Sequence, residues 1–156
     1  GTAVTGFADL AKAKSIALAD GSVPAGKYTR QLLINLGVLD GKKEAKDYTT
    51  AEVSAALGGV EINECGNVSK VKEAVKEGSN EVGTVYYSDA YSVKDDVDIL
   101  EVADTKLTGD IIYPVCRVNN AQATTAETAA ADDFIAFLQT DAVKAIFEKY
   151  MFIINQ

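Results

Sequence analysis

The sequence predicts an α/β domain in three layers, αβα, with helices on both faces of a largely parallel sheet. Short β-branched or alternating runs take turns with segments of helical period through most of the chain. Glycine-containing turns follow the first two runs and lead into helices, as a strand-to-helix crossover requires. The 156 residues, 47% hydrophobic and 24% charged, suit one ordinary globular domain or two very small ones.

Taken in order, residues 1–12 read as a tail. Ser15–Asp20 is an apolar strand ending in Asp-Gly. Pro24 fits the first position of a helix, where its missing N–H costs nothing, and Tyr28, Leu32 and Leu36 give that helix a stripe closed by Gly37. Residues 38–50 are a polar loop, and Thr50 caps a short helix through Leu57 with Glu52 in its first turn. Val60–Cys65 alternates with period two, a half-buried strand. Gly66-Asn67 breaks it, and Val68, Val71, Ala74 and Val75 line a helix that Gly78 ends. Strands are expected at Val82–Tyr87, Val97–Val102 and Ile111–Val118, the last with Pro114 at a bulge or edge. Ser88-Asp89-Ala90 opens a helix. Two more helices end the chain. One spans about Thr125–Leu138 with Phe134, Phe137 and Leu138 inward. The other is capped by Thr140, with a stripe of Val143, Ile146, Phe147 and Tyr150.

Composition removes several chemistries. With 15 Lys and Arg against 23 Asp and Glu, the net charge is −8, and the chain lacks the basic field that nucleic acid would need. The absence of His removes Ser-His triads and His-ligated metals. Cys65 and Cys116 lack a His activator and are expected as small buried hydrophobes. The acidic residues lack metal-loop spacing, so no metal or cofactor site is expected.

Gly21-Ser22-Val23-Pro24-Ala25-Gly26-Lys27-Tyr28 has the glycine and lysine spacing of a P-loop. It fails where the chemistry matters. Tyr28 replaces the short hydroxyl that holds Mg²⁺, and Pro24 removes an N–H from the phosphate cradle. What survives is a turn opening a helix, whose first N–H groups have no partner inside the helix and suit an anion. Gly66-Asn67-Val68 repeats the arrangement. In a parallel sheet both turns leave the C-terminal edge, where open α/β sheets bind ligands. Tyr86 and Tyr87 end a strand, so one faces the core and the other faces that edge, where a phenol hydroxyl can donate to an anion. Each feature is also what ordinary packing produces: a bland turn, or an amphipathic tyrosine.

Together these segments resemble the molybdate-binding protein of bacterial ABC transporters. The resemblance is carried by Ile16–Asp20 with Val23–Tyr28, Asn67-Val68 with Val75–Gly78, Gly83–Ala90, Tyr113-Pro114-Val115 and Ala145–Phe152, over about residues 8–152. It implies a type II periplasmic-binding-protein fold, in which two α/β lobes close on an oxyanion held by backbone N–H groups and hydroxyls. On this sequence Ala25 and Val68 would be the backbone donors and Tyr86 the hydroxyl donor. The implied function is extracytoplasmic capture of molybdate or tungstate for an ABC permease, by a periplasmic or lipid-anchored binding protein and not an enzyme. The alternatives are a receptor for another tetrahedral oxyanion such as sulfate, or the ligand-sensing domain of a regulator with the same fold.

Against that family, residues 13–118 correspond to the second lobe and residues 119–156 to the helices that pack on the first. The N-terminal segment that builds most of the first lobe has no counterpart here, and residues 41–59 look longer than the family's loop. In the family the apolar stripe of the last two helices packs on the first lobe; without it the helices are expected to fold back onto their own lobe or, as the favoured outcome, to pack against a second copy in a homodimer.

Overall fold

The computed structural model describes residues 1–154. They form two compact units, residues 1–111 and the chain from Ile112 onward, a division that falls before the expected boundary after residue 118.

The first unit is built on three parallel strands in the order β2-β1-β3: β1 (Ser15–Ala19), β2 (Glu61–Cys65) and β3 (Val82–Gly83). Ser15 pairs with Glu61 and Ala19 with Cys65, while Ile16 and Ala17 pair with Val82 and Gly83. Helix α1 (Pro24–Asn35) follows β1, α2 (Thr50–Ala56) precedes β2, α3 (Val68–Lys76) follows β2, and α4 (Tyr87–Tyr91) follows β3. A short α5 (Thr105–Thr108) lies against α1, where the Asn35 side-chain amide donates to the Leu107 carbonyl at 2.7 Å.

Because β1 is central, it is buried on both faces and divides the apolar residues into two clusters. One face carries Ile16 and Leu18 with Leu32, Leu33, Leu39, Tyr48, Val53, Leu57 and Val60. The other carries Ala17 and Ala19 with Ala25, Cys65 and Val71. Residues 1–12, expected as a tail, lay Val4 and Leu10 into the first cluster and include a 3₁₀ turn at Phe7–Lys12. The buried side of α1 runs through Ala25, Thr29, Leu32 and Leu33, rotated from the Tyr28-Leu32-Leu36 stripe read in the sequence.

Two expected strands are absent. Val97–Val102 and Ile111–Val118 have strand-type sequences but run as irregular chain. A strand exists only where a neighbour takes up its backbone N–H and C=O groups, and no described residues pair with either run. Ile112, Tyr113, Val115 and Val118 are accordingly exposed, as is Cys116, which was expected to be buried. The Val82–Tyr87 strand is also shorter than expected. It stops at Gly83, and Thr84 turns to α1, where its hydroxyl lies 2.9 Å from that of Thr29.

The second unit contains α6 (Thr125–Leu138) and α7 (Asp141–Lys149), with Thr140 at the N-cap position of α7. Val143 is buried, Phe147 and Phe152 meet edge to face, and Phe134, Phe137, Ile146 and Tyr150 are each at least half exposed.

Helix α2 is capped one residue earlier than expected: Thr49, not Thr50, accepts from the Glu52 N–H, and the Glu52 carboxylate accepts from the Thr49 N–H and hydroxyl at 2.8 and 2.9 Å. Together with Lys43, whose ammonium is its strongest partner, these bonds hold the Glu52 carboxyl down from 4.5 to about 2. A carboxyl whose folded pKa is depressed contributes stability above its unfolded value and loses it as pH falls through the folded one. The cap should therefore be intact above about pH 4.5 and fade toward pH 2. Carboxyl-carbon NMR should place the Glu52 midpoint well below the ordinary glutamate range in the wild type. It should rise in Lys43→Ala, and an unmoved midpoint would remove Lys43 from the network.

Candidate functional site: helix N-termini at one sheet edge

All three strands are parallel, so their C-terminal ends, Ala19, Cys65 and Gly83, share one edge of the sheet. The chain leaves each end by a short turn into α1, α3 and α4 respectively. The three expected donors sit in those turns. Ala25 is the second residue of α1, Val68 the first of α3, and Tyr86 the residue before α4. Their side chains belong to a single cluster: Ala25 is buried in it, and Val68 and Tyr86 pack against it with Val23 and Val85. The three residues expected as donors thus lie in or against one apolar cluster at this edge. Of the two tyrosines, Tyr86 packs on the cluster and Tyr87 is the exposed one. They flank a helix start rather than a strand end, since β3 stops at Gly83.

The two longer helices begin differently. In α3 the Asn67 side chain accepts from the Lys70 N–H at 3.0 Å, leaving the N–H groups of Val68 and Ser69 without an acceptor in their own helix. In α1 the N-cap residue is Val23, which offers no side-chain cap, and Pro24 takes the first position. The first amides of α1 able to donate outward are then those of Ala25 and Gly26. The Asp20 carboxylate stands beside this turn, but accepts from the Ser22 N–H at 2.9 Å and from its hydroxyl. Those two bonds, with a smaller contribution from the Arg30 charge, hold its carboxyl below the usual range.

The edge is crowded by design of its small residues. A Cβ on Gly26 would overlap the carbonyl oxygens of Ala19 and Asp20 and lie 2.7 Å from the Asp20 carbonyl carbon. A Cβ on Gly83 would lie 2.8 Å from methyl carbons of both Val71 and Val75. Only glycine lets α1 sit this close to the end of β1 and α3 this close to β3. Cys65 lies in the same cluster, and burial pushes its thiol up, against nucleophilic use.

Two features escaped the sequence reading. Arg30 is wholly buried beneath the α1 turn, and a cleft of about 400 Å³ opens beside it, lined by Asp20, Gly21, Tyr48, Thr50 and Glu64. Ala25, Val68 and Tyr86 do not line that cleft. Among the described residues, no group of His, Cys, Asp or Glu could hold a metal ion, and no helix is long and apolar enough to cross a membrane.

The starts of α1 and α3, with Ala25 buried in one apolar cluster and Val68 and Tyr86 packed against it, make this sheet edge the candidate site. Residues 1–153 match the model of the bacterial extracellular solute-binding protein family, and the chain belongs to that family. It is a family of binding proteins, not of enzymes. YvgL of Bacillus subtilis (strain 168), by its name an ABC transporter substrate-binding lipoprotein, is 31% identical over 150 residues, 96% of this chain and 50% of its own. A solved structure from Clostridium difficile, described as the substrate binding domain of a molybdenum ABC transporter, superposes with a TM-score of 0.68 at 29% identity, covering 95% of this chain and 57% of that one. The chain therefore spans about half the length of the relatives it matches.

The close approach at Gly26 gives a direct test. Alanine would gain up to ~1 kcal/mol of helix propensity, but overpacking against fixed carbonyls costs ~1–3 kcal/mol. Gly26→Ala should lower the urea midpoint, whereas a raised midpoint would show that α1 stands further from β1.

Proposed function

We propose that this chain is the second lobe of an extracytoplasmic receptor that captures molybdate or tungstate and delivers it to an ABC permease. The lobe would span residues 13–118, and the helices of residues 119–156 would pack on the first lobe. The observation that carries the reading is the patch at the sheet edge, where Ala25, Val68 and Tyr86 share one cluster beside two helix starts. The relatives' names point the same way, to substrate binding for ABC transport and, in one case, to molybdenum.

The Ala25 and Val68 N–H groups would donate to the oxyanion, reinforced by the positive ends of α1 and α3. The Tyr86 hydroxyl would add a third bond. Donors of fixed number and direction select a tetrahedral dianion by size and by how many oxygens they satisfy, because charge alone does not rank one dianion against another. One lobe would supply only part of the donor set, so the dry, many-donor cavity would form only when the other lobe closes. In such a receptor the exposed Phe134, Phe137, Ile146 and Tyr150 have the first lobe as their cover, and a second copy is the substitute where it is lacking.

Calorimetry on the full receptor with molybdate, tungstate and sulfate is the test. Molybdate and tungstate should bind more tightly than sulfate, and Tyr86→Phe should cost about 0.5–3 kcal/mol of molybdate affinity. Tighter binding of sulfate would shift the assignment to another oxyanion, and an unchanged affinity in Tyr86→Phe would remove that hydroxyl from the site.

A further inference from the structure

We propose that Arg30 is a positioning residue for the anion turn: its buried guanidinium ties the end of β1 and the first turn of α1 to residues 48–50, and thereby sets the direction of the Ala25 N–H. This inference rests on the oxyanion site proposed above.

The side chain is 0% exposed. Its Nη1 donates to the Ala19 carbonyl at 2.9 Å and to the Gly26 carbonyl at 3.1 Å. Ala19 is the last residue of β1 and Gly26 follows Ala25 in α1, so a single nitrogen closes the turn of residues 20–25 from both ends. Nε donates to the Tyr48 carbonyl at 2.7 Å, and Nη2 to the Thr50 hydroxyl at 3.2 Å. The Thr50 hydroxyl in turn donates to the Glu64 carboxylate on β2. The turn is backed from the same side at Gly21, where a Cβ would lie 2.6 Å from the Lys46 carbonyl oxygen. Residues 46–50 thus form the wall against which the anion turn rests, and Arg30 is the tie between them. This gives the segment at residues 41–59 a role at the site without touching the ligand.

The geometry needs arginine. Four acceptors in four directions match the rigid fork of five donors, whereas lysine brings three donors at one point. Burying a cation is costly unless its donors are met. Here they meet backbone carbonyls that would otherwise point into the interior, and Asp20 and Glu64 lie near enough to favour the charge.

The test compares Arg30→Lys and Thr50→Val with wild type in the full receptor, by molybdate calorimetry and by amide hydrogen exchange without ligand. The exchange readout contrasts two first-turn amides. Lys27 donates to the Val23 carbonyl in α1, and Lys70 donates to Asn67 in α3. Arg30→Lys should weaken molybdate binding about tenfold and speed exchange at Lys27 while Lys70 keeps its wild-type rate. Thr50→Val, which removes one of the four acceptors, should produce the same local pattern with a smaller loss, and it carries the test should Arg30→Lys not fold. Equal acceleration at Lys27 and Lys70 would show that Arg30 merely supports the fold, and unchanged molybdate affinity would also overturn the proposal. A wild-type receptor that binds no oxyanion would sink the proposed function, while the Lys27 and Lys70 contrast would still decide whether Arg30 holds the turn.

Discussion

The parallel pairing of β1 with β2 is the constraint on which the rest depends. The ladder from Ser15 and Glu61 to Ala19 and Cys65 ends both strands at the same level, and the Asp20 N–H extends it by one bond to the Cys65 carbonyl at 2.9 Å. With strand ends level, the chain must leave both strands on the same edge, and the helices that carry it back must start there. The first turns of α1 and α3 therefore leave the same edge of the sheet, and the buried Arg30 guanidinium ties the α1 turn in place. A one-residue slip would reverse every side chain of β2 and separate the two helix starts.

Small residues make the gathering tight. On the α3 side of the sheet β1 presents only Ala17 and Ala19, both wholly buried, and β3 contributes Gly83 beneath Val71. On the opposite side the same strand presents Ile16 and Leu18 to a larger cluster of Leu32, Leu33, Val53 and Leu57. Stability resides mainly on that second side, where burial of each large side chain is worth roughly 1.5–3 kcal/mol. The side facing the site gives up bulk for close approach. Gly26 against the carbonyls of Ala19 and Asp20 is the sharpest instance of that exchange.

Legibility in the sequence followed locality. The start of α3 at Val68, the bounds of α6 and the cap position of α7 were readable because caps and helical period are written within a few residues. Both the β1 and β2 runs were readable because each is flanked by turn chemistry. Val97–Val102 and Ile111–Val118 were misread for the complementary reason: a β-branched run becomes a strand only through a distant partner, which local sequence does not specify. Exposure of Cys116 follows from the same missing partner. Ala25, Val68 and Tyr86 lie in the turns after the three parallel strands, a placement that parallel order and turn chemistry make readable. Arg30 was missed because the stripe read for α1, Tyr28, Leu32 and Leu36, lies on a rotated face that does not include it. Its signal was present: it falls four residues after Gly26 and three before Leu33, inside the buried stripe of α1.

The central claim is that the starts of α1 and α3 act together on one oxyanion. The most direct measurement is amide NMR of the full receptor during a molybdate titration, following the N–H signals of Ala25 and Val68. Hydrogen bonding to one ligand should shift both downfield along a single binding curve, with Leu32 and Val53 in the larger cluster unmoved. Shifts confined to one of the two helix starts, or centred on the cleft beside Arg30, would contradict the account.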